Sequence, residues 1–101
     1  MKLLLITSIA EFSKEVKQIL KNTQVKAYSY RDVTGYRDAT EEAINSNWFG
    51  SEMNENESVL FYAFVPKRNV DSIYVAIEEF NAKQQTPSRI HIAIINIEKS
   101  N

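Results

Sequence analysis

The stretch SVLFYAFV, residues 58–65, decides the fold because it is apolar on both of its alternating faces. Successive side chains of a strand point to opposite faces of the sheet. One face of this stretch carries only Val, Phe and Ala, and the other carries Leu60, Tyr62 and Phe64. We therefore predict a strand that is covered on both sides and that ends at Pro66.

Two helices and three further strands are predicted around this stretch. Phe12, Val16 and Leu20 recur one helical turn apart, which is typical of a helix with one buried face. The second helix is expected to begin after an N-cap at Asn69, with Asp71 stabilising its first turn through the helix dipole. The predicted elements are strands over 2–9, 25–33, 58–65 and 89–98 and helices over 11–22 and 70–83, with a turn at Thr34-Gly35.

The predicted order is strand, helix, strand, strand, helix, strand, which is typical of the ferredoxin-like α+β fold. In that fold two helices cover one face of a four-stranded antiparallel sheet. A chain of 101 residues has the size of one domain, so we expect residues 1–101 to form a single ferredoxin-like domain. The helices leave the second apolar face of the sheet uncovered, so we predict self-association through that face.

The composition is that of an ordinary globular protein and excludes several functional classes. Hydrophobic residues make up 44% of the chain and charged residues 25%, which indicates neither disorder nor a membrane span. The net charge of −1 predicts no binding of nucleic acid. Without cysteine the chain has no disulfide, thiolate metal site or cysteine nucleophile, and this composition is compatible with the cytoplasm. The apolar start MKLLLITSIA is interpreted as the first strand rather than as a signal peptide, because its apolar run is short.

A long acidic segment separates the second and third predicted strands. Residues 38–57 contain six acids and no Lys or Arg, and they show no strand periodicity. A connection of this length in a compact domain indicates a functional loop. Its Trp48-Phe49 pair either anchors a partner protein or packs back on the body of the protein. Its acids either contact a cation or a basic partner, or are simply solvated.

Several stretches together resemble the PII and PII-like signalling proteins. They are VKAYSYRDVTGYRD (25–38), SVLFYAFV (58–65), NVDSIYVAIEEF (69–80) and SRIHIAIINIEKS (88–100), which match the family's second strand and loop base, third strand, second helix and last strand. The resemblance covers nearly the whole chain. It implies a homotrimer whose sheets face inward, and a long T-loop, here residues 36–57, that contacts partner proteins.

The resemblance also implies an effector site for an adenine nucleotide. In the family this site uses the base of the T-loop, for which Gly35 and Arg37 are the matching residues. The family's glycine-rich loop is replaced here by NAKQQTPSR (81–89), which has no glycine. Lys83 and Arg89 are then the expected phosphate contacts.

We predict from these patterns a non-enzymatic, cytoplasmic regulator. No arrangement of nucleophile and base, paired carboxylates or metal ligands forms a recognisable catalytic motif. The predicted regulator presents residues 36–57 to a protein partner, with Tyr36, Trp48, Phe49 and Glu52 at the contact. The resemblance implies a transporter or a metabolic enzyme as that partner, without insertion of this chain into a membrane.

Two other functions remain open. The first is a metal sensor or metal-tolerance protein, similar to the CutA proteins and to the PII-like proteins linked to heavy-metal efflux. Its ligands for a divalent or copper ion would be His91, Met53 and Glu55, since methionine suits copper and carboxylates suit harder cations. His91 is alternatively an ordinary strand histidine. The second function is a structural interaction module without a small-molecule ligand.

Overall fold

A computed structural model describes residues 1–36 and 55–101, and its elements follow the predicted order. Of Glu55 and Asn56 only the backbone is described. The elements are β1 (Lys2–Ile9), a 3₁₀ turn (Ala10–Phe12), α1 (Ser13–Asn22), β2 (Ser29–Tyr36), β3 (Glu55–Val65), a second 3₁₀ turn (Lys67–Asn69), α2 (Val70–Ala82) and β4 (His91–Asn96).

The described strands form one four-stranded sheet in the order β2-β3-β1-β4. Every pair of neighbouring strands in it is antiparallel. The central strands are β1 and β3, and β4, whose sequence is also apolar on both faces, lies at an edge. Two helices on one face of this sheet confirm the predicted ferredoxin-like α+β fold.

The core lies between the sheet and the two helices. Leu4 and Ile6 of β1 and Phe61 of β3 point towards the helices and are at most 1% exposed. Each helix covers them with one buried stripe, and the stripe residues are Val16 and Leu20 of α1 and Ile73 and Ile77 of α2. Burial of each such side chain contributes about 1.5 to 3 kcal/mol to folding. The packing of this layer follows directly from the helical spacing of the apolar residues.

Both helices are short and lie against the sheet and each other. The helix α1 has 10 residues and α2 has 13. Phe12 and Phe80 join them, with their rings edge to face and their centroids 5.1 Å apart. Neither of these described helices has the length and apolar character needed to cross a membrane.

The turn after α1 is a Schellman motif with an unusual residue in it. The amide of Val25 donates to the carbonyl of Leu20 at 2.9 Å. The amide of Gln24 donates to the carbonyl of Lys21 at 3.1 Å. This motif requires a left-handed residue just past the helix, and Gln24 has a φ of 65°. Glycine usually fills this position because a Cβ costs about 1 kcal/mol in this conformation.

Gln24→Gly is therefore expected to stabilise the protein by about 0.5 to 1 kcal/mol, because relief of strain exceeds the added entropy of the unfolded chain. Chemical denaturation of the purified variant measures this change. The control is Gln18→Gly inside α1, where glycine should destabilise by about 1 kcal/mol. A loss of stability in both variants would contradict the expectation.

The structure corrects the predicted bounds of β2. The strand spans Ser29–Tyr36 rather than 25–33, because the residues before it complete the turn after α1. The prediction of a turn at Thr34-Gly35 is wrong, because both residues lie within β2 and pair with β3. Pairing with β3 extends β2 through the glycine towards the acidic segment.

Three other predicted bounds change. β3 begins three residues earlier than predicted, which confines the connection to residues 37–54. The predicted loop 36–57 therefore includes paired strand residues at both ends. β4 spans His91–Asn96 rather than 89–98. Asn69 precedes α2 as predicted, but its side chain makes no capping hydrogen bond.

Candidate functional site

The main candidate site is the end of the sheet from which residues 37–54 depart. Tyr36 of β2 pairs with Glu55 of β3 as the last pair of that ladder. Directly paired residues of antiparallel strands lie about 5 Å apart. The segment therefore leaves and rejoins the fold at one place, on a hairpin that is hydrogen-bonded from Ser29 to Tyr36.

A cavity of about 280 Å³ lies at this loop base. Its described lining includes Asp32 and Thr34 of β2, Glu57 and Ser58 of β3, and Ala10. In residues 1–36 and 55–101, neither Asp32 nor Glu57 takes part in an ion pair. The two carboxylates make the cavity electronegative, so a phosphate group is repelled there unless a cation from elsewhere approaches.

Two of the residues predicted to bind an effector, Gly35 and Arg89, lie at opposite edges of the sheet within one copy of the chain. Gly35 lies on β2 at one edge of the sheet, and Arg89 precedes β4 at the other edge. Three interstrand spacings, about 14 Å, separate these edges. Lys83 directly follows α2 and is exposed, and Arg37 lies outside the described residues. A site that uses all four residues needs a second copy to bring its β4 edge near the β2 edge.

The segment between α2 and β4 is braced by two side chains. The Asn81 amide accepts a hydrogen bond from the Ile90 N–H and donates one to the Ile90 carbonyl, both at 2.8 Å. This clamp occupies the backbone groups of Ile90, which explains why β4 begins later than predicted. Arg89 donates through Nη1 to the carbonyls of Thr86 and Ser88. Its guanidinium therefore supports its own loop.

Asn81→Ala is expected to lower the free energy of unfolding by about 2 kcal/mol, because both backbone groups of Ile90 lose their partners. Denaturant titration measures this loss, and hydrogen exchange should show faster exchange at the Ile90 amide. The control is Gln84→Ala, which removes a single bond to the Phe80 carbonyl and should cost less than about 0.5 kcal/mol. Equal effects of the two variants would refute the role of the clamp.

Two residues of the metal alternative, His91 and Glu55, are also far apart in one copy. His91 lies in the row of Thr7 and Leu60, whereas Glu55 lies five residues further along β3. Two strand spacings and five residues correspond to roughly 19 Å between the Cα atoms of His91 and Glu55. That separation exceeds the reach of two side chains towards one ion. Met53 lies outside the described residues, among which no group of three or more His, Cys, Asp or Glu is placed to hold a metal.

The partly buried ring of His91 gives the protein a pH-dependent stability. Burial lowers the pKa of His91 below its ordinary value of 6.5, because the charged ring loses hydration. As the pH falls through 6.5, the unfolded chain binds more protons than the folded chain. The contribution of His91 to stability is therefore constant above that pH and decreases below it.

We expect the denaturation midpoint to fall more between about pH 7.5 and 5.5 in the native protein than in His91→Gln, whose side chain does not titrate there. The other side chains are the same in the two proteins, so the difference reports on His91 when both are measured below the concentration of self-association. Identical losses in both proteins would rule out the effect.

The face of the sheet opposite the helices is apolar, and its part around Tyr62, Phe64 and Ile95 is exposed in the protomer, whereas Thr7 and Ser58 on the same face are buried. We call it the open face. Its apolar residues are Leu3, Leu5, Ile9, Val33, Leu60, Tyr62, Phe64, Ala93 and Ile95, and His91 lies on it as well. Tyr62, Phe64 and Ile95 are 41%, 57% and 39% exposed. Leu5 lies at its centre, between Tyr62 and Ala93. An apolar patch of this kind marks an interaction surface.

The predicted partner contacts fall mostly beyond the described part of the chain. Trp48, Phe49 and Glu52 lie outside the described residues. Tyr36 ends β2 and is 65% exposed. Its position at the departure point of residues 37–54 keeps it among the candidate contacts.

Two features of the body were not identified from the sequence. One is the Asn81 clamp, whose only sequence signal is an asparagine in the last turn of a helix. The other is a stack on the helix side of β2, where the Lys17 ammonium lies 4.2 Å from the centroid of Tyr30. Tyr30 in turn stacks on Phe61, with centroids 5.4 Å apart. No local pattern predicts either contact, because the partners meet only when the helices pack on the sheet.

Comparison with known proteins gives likenesses in structure but none in sequence. No protein-family model and no curated protein matches the chain. The structure of CPII, a nitrogen regulatory PII-like protein from Thiomonas intermedia K12, superposes with a TM-score of 0.65 and 16% identity, over 99% of this chain and 94% of that chain. The chain has a PII-like fold. A DUF3240 family protein from Shewanella baltica OS155 superposes with a TM-score of 0.68 and 12% identity, over 99% of this chain and 92% of that chain.

The PII-like fold confirms the resemblance that was predicted from the sequence. The low sequence identities show that the chain has diverged from these proteins. CPII was solved bound to ADP, AMP and bicarbonate. Identities of 12% and 16% establish a shared fold, and function has to be inferred from the residues of this chain.

Proposed function

We propose that this PII-like protein is a non-enzymatic regulator that presents residues 36–57 to a partner protein in the cytoplasm. The observation that carries the proposal is the near full-length structural likeness to a PII-like regulatory protein. A transporter or a metabolic enzyme is the partner class. The hairpin that ends at Tyr36 and Glu55 supports this role, because it brings both ends of the connection to one place at the edge of the sheet.

Self-association through the open face is the second part of the proposal, with a homotrimer as the expected assembly. A protomer exposes Tyr62 and Phe64 to water on one apolar surface. Three copies with their open faces turned inward would bury that surface. Assembly would also bring the β4 edge of one copy towards the β2 edge of the next. An effector site that uses both Gly35 and Arg89 needs this approach, because the two residues lie at opposite edges of one sheet.

An adenine nucleotide is the proposed effector of the assembled protein. Its phosphates would contact Lys83 and Arg89 of one copy, next to Gly35 and Arg37 of another. Asp32 and Glu57 at the loop base would repel those phosphates, which favours an approach from the β4 side. Effector binding would order residues 37–54 and thereby control partner binding.

Replacing residues 37–54 by Asn-Gly tests the loop. This dipeptide forms a tight hairpin turn between directly paired strand residues, here Tyr36 and Glu55. We expect the variant to keep its thermal midpoint and its mass in solution, and to lose a partner that the native chain captures. Trp48→Ala with Phe49→Ala should lose the same partner. Equal capture by the native and loop-replaced chains would overturn the proposal.

A thermal-shift series with ADP, AMP and ATP tests the effector. A ligand at 100 times its Kd stabilises the folded state by about 2.7 kcal/mol, which is several degrees for a domain of this size. Arg89→Gln should abolish the shift. Control of partner binding by this effector would be contradicted by two results together. The nucleotide would bind the native chain and the loop-replaced chain equally, and it would not change capture of the partner by the native chain. No observation on the described residues favours the metal alternative.

A further inference from the structure

A second cavity, of about 370 Å³, lies at the end of the β2–β3 hairpin opposite residues 37–54. It is enclosed by the turn after α1, the last residues of β3 and the 3₁₀ turn before α2. The proposed effector and partner sites use none of these segments, although Phe64 also belongs to the open face. The volume is within the range of pockets that hold small organic ligands.

The charged side chains of this cavity are both positive. Lys26 lines it from the turn after α1, and Arg68 lines it from the 3₁₀ turn. No acid belongs to its described lining, and in residues 1–36 and 55–101 neither cation forms a hydrogen bond or an ion pair. The nearest acid in sequence, Asp71, is exposed in the first turn of α2 and does not line the cavity. Two unpaired cations on one concavity raise the local concentration of anions.

The remaining wall of the cavity is partly apolar. Phe64, Val65 and Pro66 close one side of it. Phe64 is 57% exposed in the protomer, and it also belongs to the open face. A purely inorganic ion would leave this wall uncovered, whereas a ligand with a small organic group would bury it.

The two cavities of the hairpin have opposite charge. The loop-base cavity carries Asp32 and Glu57, and the second cavity carries Lys26 and Arg68. We propose that the second cavity binds a small organic anion with a divalent oxyanion group, such as a phosphate monoester. The planar guanidinium of Arg68 makes paired hydrogen bonds to such a group, and the ammonium of Lys26 adds a second point of charge. The site is separate from the effector site at the other end of the hairpin.

Calorimetric titration of the full chain at constant ionic strength tests the site. The probes are inorganic phosphate, phenyl phosphate and succinate, with chloride as the reference. Phenyl phosphate is expected to bind more tightly than inorganic phosphate, because its ring covers the apolar wall. Amide resonances of Lys26, Ala27 and Phe64 should shift on titration. Tighter binding of succinate than of either phosphate would reject the phosphoryl class.

Arg68→Gln and Lys26→Gln should each weaken phenyl phosphate binding by about tenfold, as expected for loss of one charge-assisted hydrogen bond. Lys67→Gln is the matched control, because it removes the neighbouring charge, which does not line the cavity. Equal weakening by all three variants would show nonspecific attraction, and no binding above the chloride reference would also overturn the proposal.

The mass in solution is measured for each variant, since Phe64 also belongs to the open face. Arg68→Gln should retain partner capture through residues 36–57, which separates this proposal from the proposed function.

Discussion

Phe61→Ala is expected to lower the free energy of unfolding by about 3 to 5 kcal/mol, a large part of the total stability of a domain of this size. Phe61 is 0% exposed on the central strand β3. Its ring contacts Tyr30 and Tyr28, with centroids at 5.4 Å and 5.9 Å. The truncation removes these contacts and leaves a cavity beneath the helices that the surrounding side chains fill only in part.

Phe64→Ala is the matched control for this loss. It makes the same truncation on the same strand, but on the open face, where Phe64 is 57% exposed. It should cost less than about 1 kcal/mol when both proteins are measured below the concentration of self-association. Urea titration followed by circular dichroism measures both values. Similar losses at the two positions would contradict the assignment of Phe61 to the core and Phe64 to the open face.

Tyr62→Asp is expected to convert the assembled protein to monomers of 11.7 kDa. Tyr62 pairs with Leu5 near the centre of the open face. In a monomer the new carboxylate stays in water, because Tyr62 is 41% exposed. In an assembly every copy would bury an unpaired charge at a cost of several kcal/mol, so dissociation is favoured.

Tyr74→Asp provides the control for self-association. Tyr74 is 46% exposed on α2, on the other side of the molecule from the open face. This variant should keep the mass of the native protein, which is about three times the protomer mass for the proposed trimer. Light scattering after gel filtration distinguishes these outcomes. A native chain that is monomeric at all concentrations, or a Tyr62→Asp variant that stays assembled, would exclude assembly through the open face.

Much of the fold could be predicted because its signals are local. Phe12, Val16 and Leu20 repeat at the helical period, and residues 58–65 alternate as a strand does. The effector and partner residues stay predictions. The effector residues were selected by their resemblance to a family pattern, and a pattern along the chain does not specify distances between strands. Gly35 and Arg89 match one site in the pattern but lie on opposite edges of the sheet.

The sequence by itself determined the order of the elements, because the period of the apolar residues is a property of neighbouring residues. It did not place the strands in the sheet, since β4 is apolar on both faces like β1 and β3 but lies at an edge. Only the tertiary structure decided where β2 and β4 begin. Those limits depend on the left-handed Gln24 turn and on the Asn81 clamp, which involve hydrogen bonds between separate segments. The tertiary structure also placed Asp32 with Glu57 and Lys26 with Arg68 at opposite ends of one hairpin. Charges far apart in sequence meet only when the strands have paired in register, so their grouping is a property of the folded chain.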